Sequence, residues 1–272
     1  METIVNGLPA LKLLSAENGW VQRNALLSGF VQEYFKENKE GIRILEAGCG
    51  RRWQLELGAI PYELTGVDIC KDALNIRMND EGDLDQAICG DLCSLVLPAE
   101  EYDMIYCIDV IEHIHGVEKL FENFFTWLKP KGLLIIVFPD RSSVFGFLTR
   151  MLPYWAHLFY YKYLLGNRNA GRPGFSPFPT YYDKIASRCA LHEYCHRHGH
   201  RIALEYGRPF NMRKLGHLAW AATFFCRLIH FFSLGRLADE YCSLVYAIGK
   251  GERKGERLKP CNANIAMGNS NG

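Results

Sequence analysis

Apolar and polar positions along this chain follow two different periods. Short apolar runs of strand length recur, and most of them end at a glycine or an acidic residue. Between the runs lie stretches with apolar residues at helical spacing, at 20–37, 71–79, 116–128 and 181–198. The pattern predicts seven strands, in the runs that begin at residues 42, 63, 85, 102, 132, 201 and 243.

Helices alternate with strands in this pattern, and each strand is an almost continuous apolar run. Such strands are buried on both faces, which predicts an α/β fold with a doubly wound, mostly parallel, Rossmann-like sheet and helical insertions. We expect a helical cap at 1–40, a core at 41–140, an aromatic-rich lid at 141–180, the end of the core at 181–249 with an apolar helical insertion at 211–235, and a disordered tail at 250–272.

Three consecutive predicted strands end in groups that suit a nucleoside. The first ends in the run 46–50, Glu-Ala-Gly-Cys-Gly, where the glycines permit a tight turn and close approach of a ligand to the backbone. Asp68 ends the second strand, where its carboxylate can accept hydrogen bonds from both ribose hydroxyls. Asp91 ends the third and can accept a bond from an adenine amino group, with Ile69 and Leu92 packed on the base.

The glycine run also distinguishes between cofactors. A pyrophosphate-binding loop carries a third glycine that opens the next helix, whereas Arg51 and Arg52 follow Gly50 here. S-adenosylmethionine has no phosphate, and the backbone of Gly48 can accept a bond from its ammonium group while Glu46 supports the turn. These residues favour S-adenosylmethionine over NAD, and an NAD-dependent oxidoreductase on the same fold class is the alternative.

Four segments carry a resemblance to a known family. The runs EAGCG, TGVDI and GDL, and the long run from Tyr102 to Pro139 that contains VIEH, resemble the class I S-adenosylmethionine-dependent methyltransferases. More narrowly, they resemble the branch that includes the ubiquinone-type O-methyltransferases. The resemblance is strong over 42–140 and weaker over 181–206 and 242–249, and it implies a seven-stranded sheet of order 3-2-1-4-5-7-6. The missing third glycine departs from the family pattern and puts the shape of that loop in doubt.

The resemblance also assigns roles to residues around the cofactor. It implies that Asp68 binds the ribose, that Asp91 lies at the adenine end and that the N-terminal helix closes the site. The residues that it implies beside the methionine portion are Glu46, Gly48, Gly50, Cys107 and Ile108, and it places Trp20, Arg23 and Cys49 near the cofactor.

Methyl transfer is an in-line displacement, so an enzyme mainly supplies alignment, and it supplies a base only where the acceptor must lose a proton. His113, just past the fourth strand, is the candidate base; alternatively, Glu112 and His113 cap the following helix. In ubiquinone-type relatives the corresponding acid-x-x-Glu-His can hold a divalent metal. Asp109, Glu112 and His113 match that spacing, but the same residues occur in metal-free relatives, and we expect no metal.

The aromatic-rich lid at 141–180 predicts a small, largely apolar acceptor, because Tyr and Trp offer large apolar area with polar tips. His157, Tyr181 and Tyr182 are the candidate contacts to that acceptor. With His113 as base, the resemblance implies O-methylation of a secondary metabolite, an isoprenoid or quinone, or a lipid-like molecule.

Composition excludes some partners and favours a compartment. The 31 Lys and Arg nearly balance the 30 Asp and Glu, whereas a nucleic-acid-binding protein usually carries a basic excess. The ten cysteines are scattered without a C-x-x-C pair, which is typical of free thiols in a reducing compartment. The beginning of the chain has no signal-peptide pattern, and no apolar stretch reaches the length of a membrane span. We therefore expect a cytoplasmic protein.

Two further patterns predict different functions. His192, Glu193 and His196 match H-E-x-x-H, which is typical of zinc hydrolases, although Ile202 stands where one protease branch has its third ligand. The insertion at 211–235 is apolar almost all round a helix, so it is either buried or lies in a membrane interface. The second pattern allows a membrane-associated protein that binds S-adenosylmethionine without catalysis, or peripheral membrane contact by an enzyme.

Overall fold

A computed structural model describes residues 4–5, 8–164, 166–172 and 177–251. The polar tail that the sequence predicts to be disordered lies outside the described residues from residue 252 onward. One mixed sheet of eight strands forms the centre of the described part, and a two-stranded hairpin precedes it. The strands are β1 (Ile4–Val5), β2 (Leu8–Pro9), β3 (Lys12–Leu13), β4 (Ile42–Ala47), β5 (Tyr62–Asp68), β6 (Gln86–Cys89), β7 (Tyr102–Ile108), β8 (Leu128–Pro139), β9 (Arg201–Arg208) and β10 (Ser243–Gly249).

The central sheet has the order β3-β9-β10-β8-β7-β4-β5-β6. Its seven long strands stand in the order that the family resemblance implies, so that prediction is confirmed. Strand β3 adds an eighth, which pairs parallel to β9 at the edge of the sheet. A strand of two residues has no periodicity of its own, and the sequence pattern did not predict it. Strand β10 is antiparallel to both of its neighbours, β8 and β9.

The helices cover both faces of the sheet. Helix α1 ends three residues before its predicted end, and α6 begins only after Ser187, because residues 181–187 form a loop. Short 3₁₀ helices occur at Ile111–His113 and Met212–Leu218, and π-helical turns extend α2 and α5 at Ile76–Glu81 and Tyr160–Leu164. The α-helices are α1 (Gly19–Tyr34), α2 (Lys71–Asn75), α3 (Val117–Trp127), α4 (Val144–Met151), α5 (Tyr154–Phe159), α6 (Arg188–His198) and α7 (Ala219–Phe232).

Two apolar cores lie on opposite faces of the sheet, because successive side chains of a strand point to opposite sides. In β4, Ile42 and Ile44 belong to the core beneath α1, whereas Leu45 and Ala47 belong to the core beneath α3 and α6. All four side chains are fully or almost fully buried. A strand buried in this way is apolar on both faces, which is why its sequence reads as a continuous apolar run.

A largely buried carboxylate connects α6 to the sheet. Glu205 in β9 accepts hydrogen bonds from the guanidinium of Arg188 at 2.8 and 2.9 Å and from the hydroxyl of Tyr246 at 2.7 Å. His192 Nε2 lies 2.8 Å from the same carboxylate. Burial alone would raise the pKa of Glu205, but the hydrogen bonds from Arg188, His192 and Tyr246 outweigh it and lower this pKa to about 2.

Replacing Glu205 by Gln should lower the free energy of unfolding at neutral pH by about 3 kcal/mol, because it leaves the buried Arg188 without its anion. The native pKa lies below that of an unfolded glutamate. The stabilisation is therefore complete above about pH 4.5 and is lost as the pH falls from there towards 2. Urea unfolding at several pH values measures both effects. The control Glu193→Gln, an exposed glutamate of α6, should change stability by less than about 0.5 kcal/mol. An equal loss at pH 7 and pH 3 would contradict this interpretation.

Candidate active site

A cleft of about 1040 Å³ opens at the carboxyl ends of the parallel strands β4, β5, β6 and β7. In open α/β sheets, this edge is where ligands bind. Most of the predicted site residues meet in its lining, namely Glu46, Gly48, Cys49, Gly50, Asp68, Ile69, Asp91, Leu92, Ile108, His113 and Tyr181. The other predicted residues, Trp20, Arg23, Cys107, His157 and Tyr182, are not among those that line it.

The turn after β4 requires glycine at its first position. Gly48 has a φ of 72°, a left-handed conformation that disfavours other residues. A Cβ atom at Gly48 would come within 2.3 Å of Cγ2 of Val110. The backbone N–H groups of Gly48 and Cys49 both donate to the carbonyl of Val67 in β5, at 2.8 and 3.1 Å. The turn is therefore held tightly against the next strand, and its backbone forms the floor of the cleft.

Asp68 is fixed by the backbone on both sides of the cleft. Its Oδ2 accepts the N–H of Gly50 at 2.9 Å, and its Oδ1 accepts the N–H of Cys70 at 2.8 Å. A carboxylate oxygen can accept more than one hydrogen bond, so both oxygens keep capacity for a pair of ribose hydroxyls. The carboxylate is thus oriented before any ligand arrives.

Glu46 supports the glycine turn through a cation that the sequence interpretation missed. Arg77 is fully buried, and its Nη2 donates to Glu46 at 2.8 Å while its Nη1 donates to the carbonyl of Cys49 at 2.8 Å. Its Nε donates to Asp83 at 2.6 Å. Burial raises the pKa of Glu46, and the charge and the hydrogen bond of Arg77 oppose that shift. Arg77 falls in helical register with the apolar residues Ala73 and Leu74, and a cation on such a stripe is the signal that could have identified it.

The connection from β4 to β5 contains no helix, since residues 48–61 form turns and irregular backbone. Arg51 and Arg52 line the cleft where a phosphate-binding fold has the first turn of a helix. Without a helix N-terminus at this point, the loop lacks the array of backbone N–H groups that binds a pyrophosphate. This geometry favours a cofactor without phosphate over NAD.

The end of the cleft that the sequence assigns to adenine combines a carboxylate with apolar side chains. Asp91 is exposed, and its Oδ1 accepts the N–H of Cys93 at 2.9 Å. Ile69 is 77% exposed although it is a large apolar residue in a concave site, and Leu92 lies buried across from it. A planar apolar base would cover Ile69 and remove its apolar surface from water.

The opposite end of the cleft holds unpaired polar groups. Tyr106 lines the cleft with only 1% of its surface exposed, and its hydroxyl is buried without a hydrogen-bond partner. Arg23 of α1 is fully buried; its Nη2 donates to Gln54, whose side chain also lines the cleft, while its Nη1 is buried without a hydrogen-bond partner. Such orphaned buried groups are expected where a polar ligand binds, so these residues fit the amino acid portion of S-adenosylmethionine.

Trp20 lies at the start of α1 and is not among the residues that line the cleft. The guanidinium carbons of Arg23 and Arg208 lie 4.2 and 4.5 Å from the centroid of its ring. Cys107 is buried inside the sheet, and burial raises the pKa of its thiol well above the usual range.

His113 occupies the wall of the cleft in a defined tautomer. Its Nδ1 lies 2.7 Å from the backbone carbonyl of Pro179, so this nitrogen carries the proton and donates. In the neutral ring the other nitrogen, Nε2, is then unprotonated, and it lies 3.8 Å from Glu112. Burial lowers the pKa of His113, although the bond to the carbonyl of Pro179 opposes that shift. The imidazole is neutral at physiological pH and can accept a proton.

Aromatic residues flank this histidine. The ring of Phe178 stands edge-on to His113 with 5.6 Å between centroids, and the rings of His115 and Tyr181 lie 3.6 Å apart. Four residues around this histidine line the cleft, namely His115, Phe178, Pro179 and Tyr181. Of the four, only Tyr181 was predicted from the sequence. The others lie in a proline-rich loop and a short turn without periodicity, which carry no pattern that sequence reasoning can use.

Two of the predicted acceptor contacts are engaged elsewhere. His157 Nε2 bonds to the carbonyl of Thr149 at 3.1 Å within the α4–α5 region. Tyr182 is 4% exposed, and its backbone N–H lies 3.3 Å from the carbonyl of Glu112, so its side chain belongs to the core instead of the cleft surface.

The alternative zinc site also has its side chains committed to other partners. His192 is bonded to Glu205 at 2.8 Å, and Glu193 pairs with Arg197 at 3.0 Å on the same helix. Over residues 8–164, 166–172 and 177–251, no group of three or more His, Cys, Asp and Glu residues could hold a metal ion. Neither the H-E-x-x-H segment nor the acid-x-x-Glu-His run at 109–113 brings such a group together in the described residues.

A family of known proteins matches most of the part of the chain that forms this cleft. The family described as "Methyltransferase domain" matches residues 20–177, more than half of the chain. A ubiquinone biosynthesis O-methyltransferase from Glaesserella parasuis is 26% identical over 157 residues, which cover 49% of this chain. The chain spans 65%, less than two thirds, of that relative's length.

Two solved structures share the fold. The [4+2]-cyclase SpnF matches with a TM-score of 0.52 and 15% identity, covering 89% of this chain and 86% of its own. Phosphoethanolamine N-methyltransferase 2 from Haemonchus contortus, in complex with S-adenosyl-L-methionine, matches with a TM-score of 0.50 and 17% identity. That match covers 86% of this chain and 53% of the Haemonchus chain. At these identities the structural likeness concerns the fold alone.

Replacing Arg77 by Met should lower the free energy of unfolding by roughly 3 kcal/mol, because the buried Glu46 loses its cation. It should also weaken the binding of S-adenosylhomocysteine, because the carbonyl of Cys49 loses the donor that holds the glycine turn. Urea unfolding and calorimetric titration measure the two effects. Lys71→Met, on the exposed side of α2, is the matched control and should change stability by less than about 0.5 kcal/mol. Wild-type stability of Arg77→Met would contradict the role of the buried pair.

Proposed function

The chain belongs to the family of S-adenosylmethionine-dependent methyltransferases, and we propose that it methylates a hydroxyl group of a small, largely apolar acceptor. The position of His113 carries this proposal. A hydroxyl is a poor nucleophile until it loses its proton, and a neutral imidazole in the wall of the cleft can remove that proton. The bond from Nδ1 to the carbonyl of Pro179 at 2.7 Å supports Nε2 as the basic atom.

S-adenosylmethionine supplies the electrophilic methyl group. In this proposal Asp68 binds the ribose hydroxyls, and Asp91 with Ile69 and Leu92 binds the adenine. Glu46 and Arg77 keep the glycine turn in the shape that admits the methionine portion. Arg23, acting through Gln54, and the hydroxyl of Tyr106 receive the polar end of that portion. The protein then contributes alignment of the acceptor hydroxyl with the methyl group, which is the main source of acceleration in such a displacement.

The acceptor lies against an apolar wall in this proposal. Phe178, Pro179 and Tyr181 line the cleft beside His113, and both aromatic rings are more than 40% exposed. These exposed rings offer apolar area that a ligand can cover, and the tyrosine adds a polar tip. They support an isoprenoid, quinone or lipid-like acceptor, in line with the ubiquinone biosynthesis O-methyltransferase that resembles the chain. Transfer to nitrogen, the activity named for the Haemonchus protein, is the second outcome that an acceptor screen would distinguish.

The proposal includes a cytoplasmic location with peripheral membrane contact through 211–235, and no nucleic-acid partner. The balance of 31 basic and 30 acidic residues argues against a nucleic-acid substrate. Within the part of the chain that the structure describes, no helix is both long and apolar enough to cross a membrane.

Titration with S-adenosylhomocysteine should give binding of micromolar strength by calorimetry, and NAD should give none. Asp68→Ala should reduce the affinity for S-adenosylhomocysteine by roughly 100-fold or more, because it removes the acceptor for the ribose and a bond to the glycine turn. The control is Asp72→Ala, an exposed acid of the neighbouring helix. Binding of NAD instead of S-adenosylhomocysteine would overturn the assignment of the cofactor.

Replacing His113 by Gln should lower kcat for transfer to a phenol or alcohol by roughly 10²- to 10⁴-fold while the affinity for S-adenosylhomocysteine stays unchanged. The pKa of His113 is lowered by burial, so the acid limb of the wild-type rate profile should lie below the pH near 6.5 expected for a free imidazole. That limb should disappear in His113→Gln.

The control for this experiment is His157→Gln, whose ring lies on the carbonyl of Thr149 and not in the lining of the cleft. It should retain both the rate and the profile of the wild type. An unchanged rate in His113→Gln, measured with an acceptor that the wild type methylates, would show that His113 only holds the loop.

A further inference from the structure

The charges of this chain are divided unevenly between its segments. Residues 141–182 and 206–238 contain ten of the 31 Lys and Arg and none of the 30 Asp and Glu. The remaining residues therefore carry 21 basic against 30 acidic side chains. The formal net charge of +1 is thus the sum of a cationic part, 141–182 with 206–238, and an anionic remainder. We refer to 141–182 and 206–238 together as the acid-free segments.

The acid-free segments pack against each other. The rings of Phe145 and Phe210 are stacked with centroids 4.3 Å apart. The N–H of Val144 donates to the carbonyl of Ala238 at 2.8 Å, and the N–H of Ala238 donates to the carbonyl of Ser142 at 3.0 Å. Two parts of the chain that are distant in sequence thus form one cationic unit on the same side of the fold.

Helix α7, within the second acid-free segment, exposes an apolar face. Trp220, Phe224 and Phe231 follow helical spacing and are 74%, 64% and 71% exposed. Phe225 and Phe232, also exposed, widen the face, whereas Cys226 is the buried residue of the helix. Burial was one of the two states predicted for the insertion at 211–235, and the exposure of α7 shows that this helix is not buried in the core. A helix that leaves most of its aromatic side chains in water is a binding surface.

The first acid-free segment exposes similar side chains. Trp155, Phe159 and Tyr163 are each more than half exposed on α5 and the turn that follows it. This segment continues into Phe178 and Tyr181, which line the cleft beside His113. The exposed apolar surface and the wall of the proposed acceptor site thus belong to one stretch of chain.

We propose that the acid-free segments dock on a lipid bilayer with anionic headgroups, with the aromatic face of α7 inserted at the interface. Aromatic side chains suit that depth, and Lys and Arg around them attract acidic lipids. A second copy of the chain is a less suitable occupant, because a two-fold interface would bring two such cationic units together, although Arg213 in each is paired with Glu17. The link to catalysis rests on the proposed function: an apolar acceptor dissolved in the bilayer would reach the cleft along Phe178 and Tyr181.

Sedimentation of the full chain with vesicles tests the docking without any acceptor. We expect binding to vesicles that contain phosphatidylglycerol, weak binding to pure phosphatidylcholine, and a decrease with added salt. Phe224→Ser combined with Phe231→Ser should reduce the partition coefficient roughly tenfold or more, since two inserted rings are lost. Arg227→Glu combined with Arg236→Glu should reduce it about tenfold on anionic vesicles only.

Matched controls come from exposed residues of the anionic remainder. Val96→Ser removes a side chain that is 89% exposed, and Lys39→Glu reverses an exposed charge, so neither should alter vesicle binding. Unchanged binding of S-adenosylhomocysteine by the α7 variants establishes that they are folded, and it separates a failure of docking from a failure of the proposed methyltransferase site.

Three outcomes would overturn the docking. One is no sedimentation with anionic vesicles at low salt. Another is equal binding by the wild type and both double variants. The third is a dimer in the ultracentrifuge that dissociates in Phe224→Ser/Phe231→Ser without any binding to vesicles, since the face would then be an interface between copies.

Discussion

Arg77 is the point on which the geometry of the cleft depends. A guanidinium that is fully removed from water must have its charge and its donors satisfied, and here they reach Glu46, Asp83 and the carbonyl of Cys49. These partners belong to the first long strand, to the residues before β6 and to the glycine turn. The ion pair therefore sets the distance between the turn and helix α2, and with it the width of the site in which the cofactor is held. A charge buried so deeply is costly, which is consistent with its place directly behind a binding site and not elsewhere in the core.

The seven long strands could be predicted because strands buried on both faces are largely apolar, as β4 and β7 are apart from Arg43, Glu46 and Asp103. The acid that ends β5, Asp68, and the acid that follows β6, Asp91, could be placed as well, because the carboxyl ends of parallel strands meet at one edge. The order of the strands did not follow from periodicity, and it came from the family resemblance. The glycine turn was predictable too. At position 48 only a glycine tolerates both the left-handed backbone and the close approach of Val110.

The features of the site that could not be predicted from the sequence depend on contacts between distant segments of the chain. Arg77, Tyr106 and Gln54 approach the cleft through tertiary packing, and only Arg77 has a local signal, a cation on an apolar helical stripe. His157 and Tyr182 were attractive by residue type, yet their positions depend on how the insertion folds back on the core. The start of α6 at Arg188 instead of residue 181 has the same cause, because the residues before it are bound to the loop that carries Glu112.

Because of the hydrogen bond between His113 and Pro179, the tautomer of the imidazole depends on the position of the loop that contains Pro179. The proton sits on Nδ1 only while the carbonyl of Pro179 is there to accept it, and that carbonyl belongs to the stretch of chain that walls the cleft. If the wall moved away, the ring would be free to exchange tautomers and to face water, and the basic nitrogen would no longer have a fixed position. Under the proposed function, the basic nitrogen is therefore held in place only while this wall covers the cleft, so that an open cleft presents no oriented base to water.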